Sequence, residues 1–204
     1  MPYVELTKNI FDCSVCETRC DGKSKLNYQF LKDVEFAEQQ EKIIIDNSKK
    51  FFGHNAVKTS TDGYPDLELL DSTGEIIKYI EVKAQRRTFM SVEKLLPSGN
   101  LKPSETVALN LSDLKRYFKI REDTKLPVDI LWVVSQRPCI TNNQDYLIYY
   151  QDIDVLKKSY ENYQNLRTFR RKSGSGDIVN GVHKGVVVNY HFSLNELTKL
   201  NFDL

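Results

Sequence analysis

The 204-residue sequence has no apolar run long enough to cross a bilayer, which argues against a spanning helix. Its N-terminus lacks a basic segment followed by an apolar one, so secretion is not expected and the cytoplasm is the expected compartment. No internal repeat, coiled-coil heptad or second domain is evident. Cysteine is scarce, at four residues, and disulfides are disfavoured in a cytoplasmic chain. Charge of one sign is not in excess either: the formal net charge is +1, so whole-molecule electrostatics announces no nucleic-acid partner. What is present is an ordinary globular composition, 40% hydrophobic and 28% charged, in a chain long enough for one real core.

The charges are unevenly spread. Residues 1–82 hold 10 basic against 15 acidic side chains, 83–121 hold 9 against 3, and 157–184 hold 7 against 2. An acidic segment followed by two basic blocks suits a molecule that holds cations at its centre and phosphates around it. A solvated helix face and a loop give the same counts.

The densest signal is Tyr64-Pro65-Asp66-Leu67-Glu68-Leu69-Leu70, a turn at Asp71-Ser72-Thr73-Gly74-Glu75, and then Ile76 to Gln85. Two runs rich in β-branched and aromatic residues around Asp, Ser and Gly predict a β-hairpin. Alternation along the second strand puts Glu81, Lys83 and Gln85 on one face and Val82 and Ala84 on the other. Asp66, at the start of the partner strand, is placed to lie across from that polar face. Two carboxylates suit Mg²⁺, which keeps several waters and accepts phosphate oxygens. A neighbouring lysine would orient the attacking water and stabilise charge on the phosphate. The plain alternative is a solvent-facing strand on which Glu81 and Lys83 form a surface ion pair.

With Pro65-Asp66 and Glu81-Val82-Lys83 joined across a turn, the chain resembles the PD-(D/E)-x-K nuclease superfamily, which includes type II restriction endonucleases and archaeal Holliday-junction resolvases. The resemblance covers roughly residues 34–90. It implies an α/β domain with a mixed central sheet flanked by helices, an αβββαβ core, and Mg²⁺-dependent hydrolysis of DNA phosphodiesters, with Mn²⁺ as a substitute. It further implies that Asp66, Glu81 and the Val82 carbonyl ligate the metal and that Lys83 assists the water. A glutamate from the first helix often joins such sites. The helix expected over Lys32–Asn47 places Val34, Ala37, Ile44, Ile45 and Ser48 on one side, with Glu41 among them and Glu38 one turn earlier. Glu41 is the choice for that role, with Glu38 as competitor and two plain flank residues as the alternative. Gln85 completes the set.

Beyond the strand, Arg86 and Arg87 are candidates for phosphate contacts, as are Arg170, Arg171 and Lys172 in a basic stretch that ends in Ser-Gly repeats. Lys115, Arg116, Lys119 and Arg121 on a helix opening at Ser112 face either DNA or water. Met90–Lys102 reads as a loop, Val128–Ser135 and Tyr146–Tyr150 as paired strands, Val155–Leu166 as a helix and Val186–His191 as a last strand. Ser193 to Glu196 matches a capping box for a terminal helix. Cys13, Cys16 and Cys20 are close enough to converge on Zn²⁺ or an iron–sulfur cluster if Cys139 or His54 supplies a fourth ligand, and reduced unliganded thiols are the alternative. The expected division is an N-terminal cysteine-containing extension, 1–30, and a nuclease domain, 31–204.

The functional expectation is a type II restriction-like endodeoxyribonuclease that acts as a homodimer on DNA and away from membranes. Its alternatives are a Holliday-junction or repair nuclease, and a catalytically inactive DNA-binding module on a nuclease scaffold with a metal-stabilised cysteine cluster.

Overall fold

The structure is a computed structural model that describes residues 30–86, 88–141, 144–170, 178–184 and 188–200. The chain begins with helices α1 (Phe30–Asp46) and α2 (Ser48–Phe52), followed by strands β1 (Asn55–Lys58), β2 (Leu67–Leu70) and β3 (Ile76–Gln85). A short helix α3 (Val92–Leu95), strand β4 (Thr106–Asn110) and helix α4 (Leu111–Thr124) lead into β5 (Val128–Ser135). Next come α5 (Pro138–Thr141), β6 (Tyr146–Asp152), α6 (Ile153–Tyr163) and a 3₁₀ turn over Gln164–Arg167. The chain continues with β7 (Thr168–Arg170), β8 (Ile178–Val179), β9 (Val182–His183), β10 (Val188–Ser193), a second 3₁₀ turn at Leu194–Glu196, and β11 (Thr198–Lys199).

Six strands form one mixed sheet in the order β1-β2-β3-β5-β6-β11. The β3–β5 pair is parallel and the other pairs are antiparallel. Crossing from β3 to its parallel neighbour needs a long connection, and α3, β4 and α4 supply it. This is the expected α/β domain: α1, three strands, a helix and a fourth strand in order, with α3 and β4 inserted.

Side-chain alternation decides which helix meets which face. Leu67, Leu69, Ile80, Val82, Leu131, Val133 and Ile148 pack with Ile44 of α1. Tyr79, Ile130, Trp132, Val134, Leu147 and Tyr149 face the other way, against Leu114, Tyr117 and Ile120 of α4 and Ile153 and Leu156 of α6. β5 is buried along its whole length, as a central strand covered on both faces should be. Its one carboxylate, Asp129, meets Lys78 Nζ at 2.6 Å. A second, three-stranded sheet, β4-β10-β7, adds Val107, Leu109, Tyr190 and Phe192 to the α4 side. There the Trp132 indole N–H donates to the Ala108 carbonyl at 3.2 Å. Truncating one of the fully buried aliphatics, Ile80 or Leu131, would cost about 2–5 kcal/mol.

The hairpin forms as its sequence predicts. Asp71 Oδ1 accepts from the Thr73 and Glu75 N–H groups, and Gly74 takes φ +88° to close the turn. Three expectations need correction. The supposed loop at Met90–Lys102 contains α3, and β4 was not anticipated, because its partner β10 lies some 80 residues downstream. The capping box is present, but the structure it caps is a single 3₁₀ turn: Leu197 is already extended and Thr198–Lys199 adds to the β6 edge. On α1, Val34 is exposed and the buried stripe runs through Gln40, Ile44 and, in α2, Ser48.

Candidate active site

The site lies where β2 and β3 part. Their register ends at Leu67↔Ile80, whereas β3 runs on beside β5 to Gln85. Asp66 is fixed just before β2: its backbone carbonyl accepts from Thr59 N–H at 2.9 Å, and its Oδ2 accepts from Val82 N–H at 2.8 Å. A side chain thus takes the place of the next ladder partner. In an extended strand a residue's N–H and carbonyl point to the same edge, so the Val82 carbonyl faces the side on which Asp66 stands.

Glu81 and Lys83 project from the α4 face of β3, in line with Tyr79. Glu81 is 2% exposed and ion-paired with Lys83, whose side chain keeps about a third of its surface (32%) open to solvent. Asp66 and Glu81 stand within hydrogen-bonding reach of each other, and Tyr117 of α4 donates its hydroxyl to Glu81. Burial pushes both carboxyl groups above their ordinary range, against the lowering effect of Lys83. At Lys83 burial favours the neutral amine, but Glu81 and Asp66 outweigh it, so its affinity for a proton is raised and the ammonium form holds. The Tyr117 hydroxyl is pushed far up by burial and by the Glu81 charge, and it stays a donor.

Two carboxylates and a backbone carbonyl on one edge are hard oxygen donors, the set that Mg²⁺ takes with water filling the remaining positions. The residues therefore fit a divalent cation. Among the described residues no group of three or more His, Cys, Asp or Glu side chains is gathered for a metal.

Glu41 of α1 is half-buried and pairs with Lys58 Nζ of β1 at 3.1 Å, and its charge is felt at Asp66. Glu38 is exposed, and its charge is felt at Lys58. Gln85 is half-buried at the end of β3, opposite Val134. Arg86 is ion-paired with Asp33, and its guanidinium lies 4.3 Å from the centre of the Phe36 ring. Arg170 is exposed on β7, in the other sheet. Arg87, Arg171, Lys172, Cys13, Cys16 and Cys20 lie outside the described residues, so the cysteine cluster receives no structural account.

Tyr117, Asp113 and Lys58 were not singled out by the sequence, and Arg116 only as one of four basic residues on its helix that face either DNA or water. At helical spacing Tyr117 falls between Leu114 and Ile120 and reads as core, which its ring is. The one available signal was the polar tip of a tyrosine on an otherwise apolar face.

No protein-family model matches the chain, and no curated protein matches it. Among solved structures it is similar to Hjc, a Holliday junction resolvase from the archaeal hyperthermophile Archaeoglobus fulgidus. The TM-score is 0.37 and the identity 10%, over 79% of this chain and 84% of that one. A likeness of that size carries no argument. The fold assignment rests on strand order and register. Among the described residues no helix is long and apolar enough to cross a membrane.

Proposed function

We propose that residues 31–204 form a Mg²⁺-dependent endodeoxyribonuclease of the PD-(D/E)-x-K superfamily, with residues 1–30 as an extension. The carrying observation is the convergence of Asp66, Glu81 and Lys83 at the point where β2 leaves β3, with Val82 N–H holding Asp66 at 2.8 Å. When bound by Asp66, Glu81 and the Val82 carbonyl, Mg²⁺ supplies Lewis acidity and a water of lowered pKa. Lys83 stays cationic between the two carboxylates and hydrogen-bonds the attacking water or the phosphate oxygens as charge grows. Tyr117 holds the Glu81 carboxylate in place, and Glu41 adds negative charge behind Asp66. One such site per chain favours a homodimer for cutting both strands of a duplex, in the manner of a type II restriction enzyme.

The test is incubation of plasmid, linear duplex and four-way-junction DNA with Mg²⁺, Mn²⁺, Ca²⁺ or chelator. Native protein is compared with Asp66→Asn and Lys83→Ala. Discrete Mg²⁺-dependent fragments, reduced at least 100-fold in both variants, are expected, and cleavage confined to the junction would move the assignment to a resolvase. Native protein that binds DNA and leaves every substrate intact would refute catalysis and favour a binding module.

A further inference from the structure

We propose that Arg116 is a phosphate-binding residue of this site, seated on the strand phosphate next to the one that is cut. The inference rests on the nuclease reading and extends it to a residue that the motif does not contain.

Position is the first argument. The turn of α4 from Asp113 to Tyr117 forms a wall of the site: Tyr117 hydrogen-bonds Glu81, and the Asp113 charge is felt at both Lys83 and Tyr117. Arg116 lies between them in sequence. Its stem runs along the turn that feeds Asp66 into place, with Arg116 Cδ 3.9 Å from where a Cβ on Gly63 would stand. Gly63 has φ +81°, a conformation that favours glycine, and the arginine stem lies at ordinary van der Waals distance from the space beside it. A guanidinium supported in this way loses less freedom when it binds.

Availability is the second. The Arg116 side chain is 47% exposed, and its one ion pair among the described residues is a single contact from Nη2 to Asp113 Oδ1 at 3.3 Å. Such i,i+3 pairs on a solvated helix contribute little and are readily exchanged. The other arginines described near this face or at the end of β3 are more firmly engaged. Arg86 is held by Asp33 and Phe36. Arg121 donates to Asp154 at 3.0 Å and to the Lys125 carbonyl at 2.9 Å.

Chemistry is the third. A nucleic-acid strand presents a further phosphate about every 3.4 Å along the duplex axis, so a scissile phosphate arrives with charged neighbours. The centre itself holds two carboxylates, and only Lys83 among the residues touching them is cationic. A planar guanidinium fork at the rim matches a phosphate and offsets the repulsion that the carboxylates exert on the backbone.

The experiment is duplex binding by fluorescence anisotropy with Ca²⁺ in place of Mg²⁺, across a salt series. The proteins are native, Arg116→Ala, Arg116→Lys and Lys102→Ala, the last altering an exposed lysine paired with Glu93. Arg116→Ala should weaken binding roughly tenfold and lower the slope of log K against log salt by about one. Arg116→Lys should keep the slope and lose part of the affinity, and Lys102→Ala should match native. In Mg²⁺, Arg116→Ala should raise KM while kcat stays within about threefold. If native protein binds and cuts but Arg116→Ala has the native affinity and slope, this inference falls and the nuclease reading stands. If native protein neither binds nor cuts duplex DNA, both fall.

Discussion

The hydroxyl of Tyr117 donates to a carboxylate that has almost no water to turn to. Losing a hydrogen bond to a buried charged group costs about 1.5–3 kcal/mol, and partners that orient metal ligands are worth 10–100-fold in metal affinity or activity. Tyr117→Phe keeps the ring packed with Leu114 and Ile120 while removing the donor. It should fold normally, cut roughly tenfold or more slowly at limiting Mg²⁺, and need more Mg²⁺ for half-maximal rate. A Mg²⁺ titration that superimposes on native would show that Tyr117 only packs. This scale is also where sequence reading reached least far. A period of 3.6 puts a tyrosine in the core without saying where its oxygen goes. Arg86 was read as a phosphate contact because nothing local revealed Asp33, 53 residues upstream.

Among elements, β10 carries a pH-sensitive position. His191 is 2% exposed, its Nδ1 lies 3.1 Å from the Arg167 carbonyl, and its ring meets Phe89 edge-on at 4.8 Å. Burial, aided by the Arg167 charge, pulls its pKa down to about 4. The unfolded chain takes up a proton near pH 6.5 that the folded one refuses until about pH 4. More protons on the unfolded state means that stability falls as pH drops through that window, by about 3 kcal/mol in all. Melting temperature followed from pH 7 to 4 should fall less steeply in His191→Gln than in native protein. Equal slopes would place the acid sensitivity elsewhere. Arg167 fastens the same region: it donates to the Gly99 carbonyl at 2.7 Å and to Glu196 at 2.5 Å, and stacks 3.6 Å from the Tyr163 ring centre. A strand at Val186–His191 and the Ser193 box were legible in sequence; the pairing of β10 with β4 and β7 was not, because it spans long separations, and the box signals a cap without fixing the length of what it caps. The β2–β3 hairpin was legible, since its partners are neighbours and its turn chemistry is local.

For the whole molecule, the cost of holding Asp66 and Glu81 together in a poorly hydrated place is borne by the fold, and a cation held as proposed would offset it. A ligand at 100 times its Kd adds about 2.7 kcal/mol to stability, which for a domain of this size raises Tm by about 5–10 °C. Saturating Mg²⁺ or Ca²⁺ should produce such a rise in native protein and a much smaller one in Asp66→Asn. A native Tm indifferent to both ions would sink the metal site. Fold class was readable because Ile130 to Val134 of β5 is an unbroken apolar run and the helices alternate with strands. The insertion of α3 and β4 between the site strand and β5 was not.

The parallel pairing of β3 with β5 also sets the order in which the molecule can be built. During synthesis Asp66, Glu81 and Lys83 all emerge before Val128, so one edge of β3 stays open until the chain has grown by more than forty residues. Contacts of that sequence separation form late, and an unpaired apolar edge invites association with other chains. A nascent chain stalled before α4 therefore carries every motif residue and neither the burial nor the α4 wall that would set their proton affinities. The motif becomes a site only as the central strand docks, which ties the start of any cutting activity to completion of the sheet.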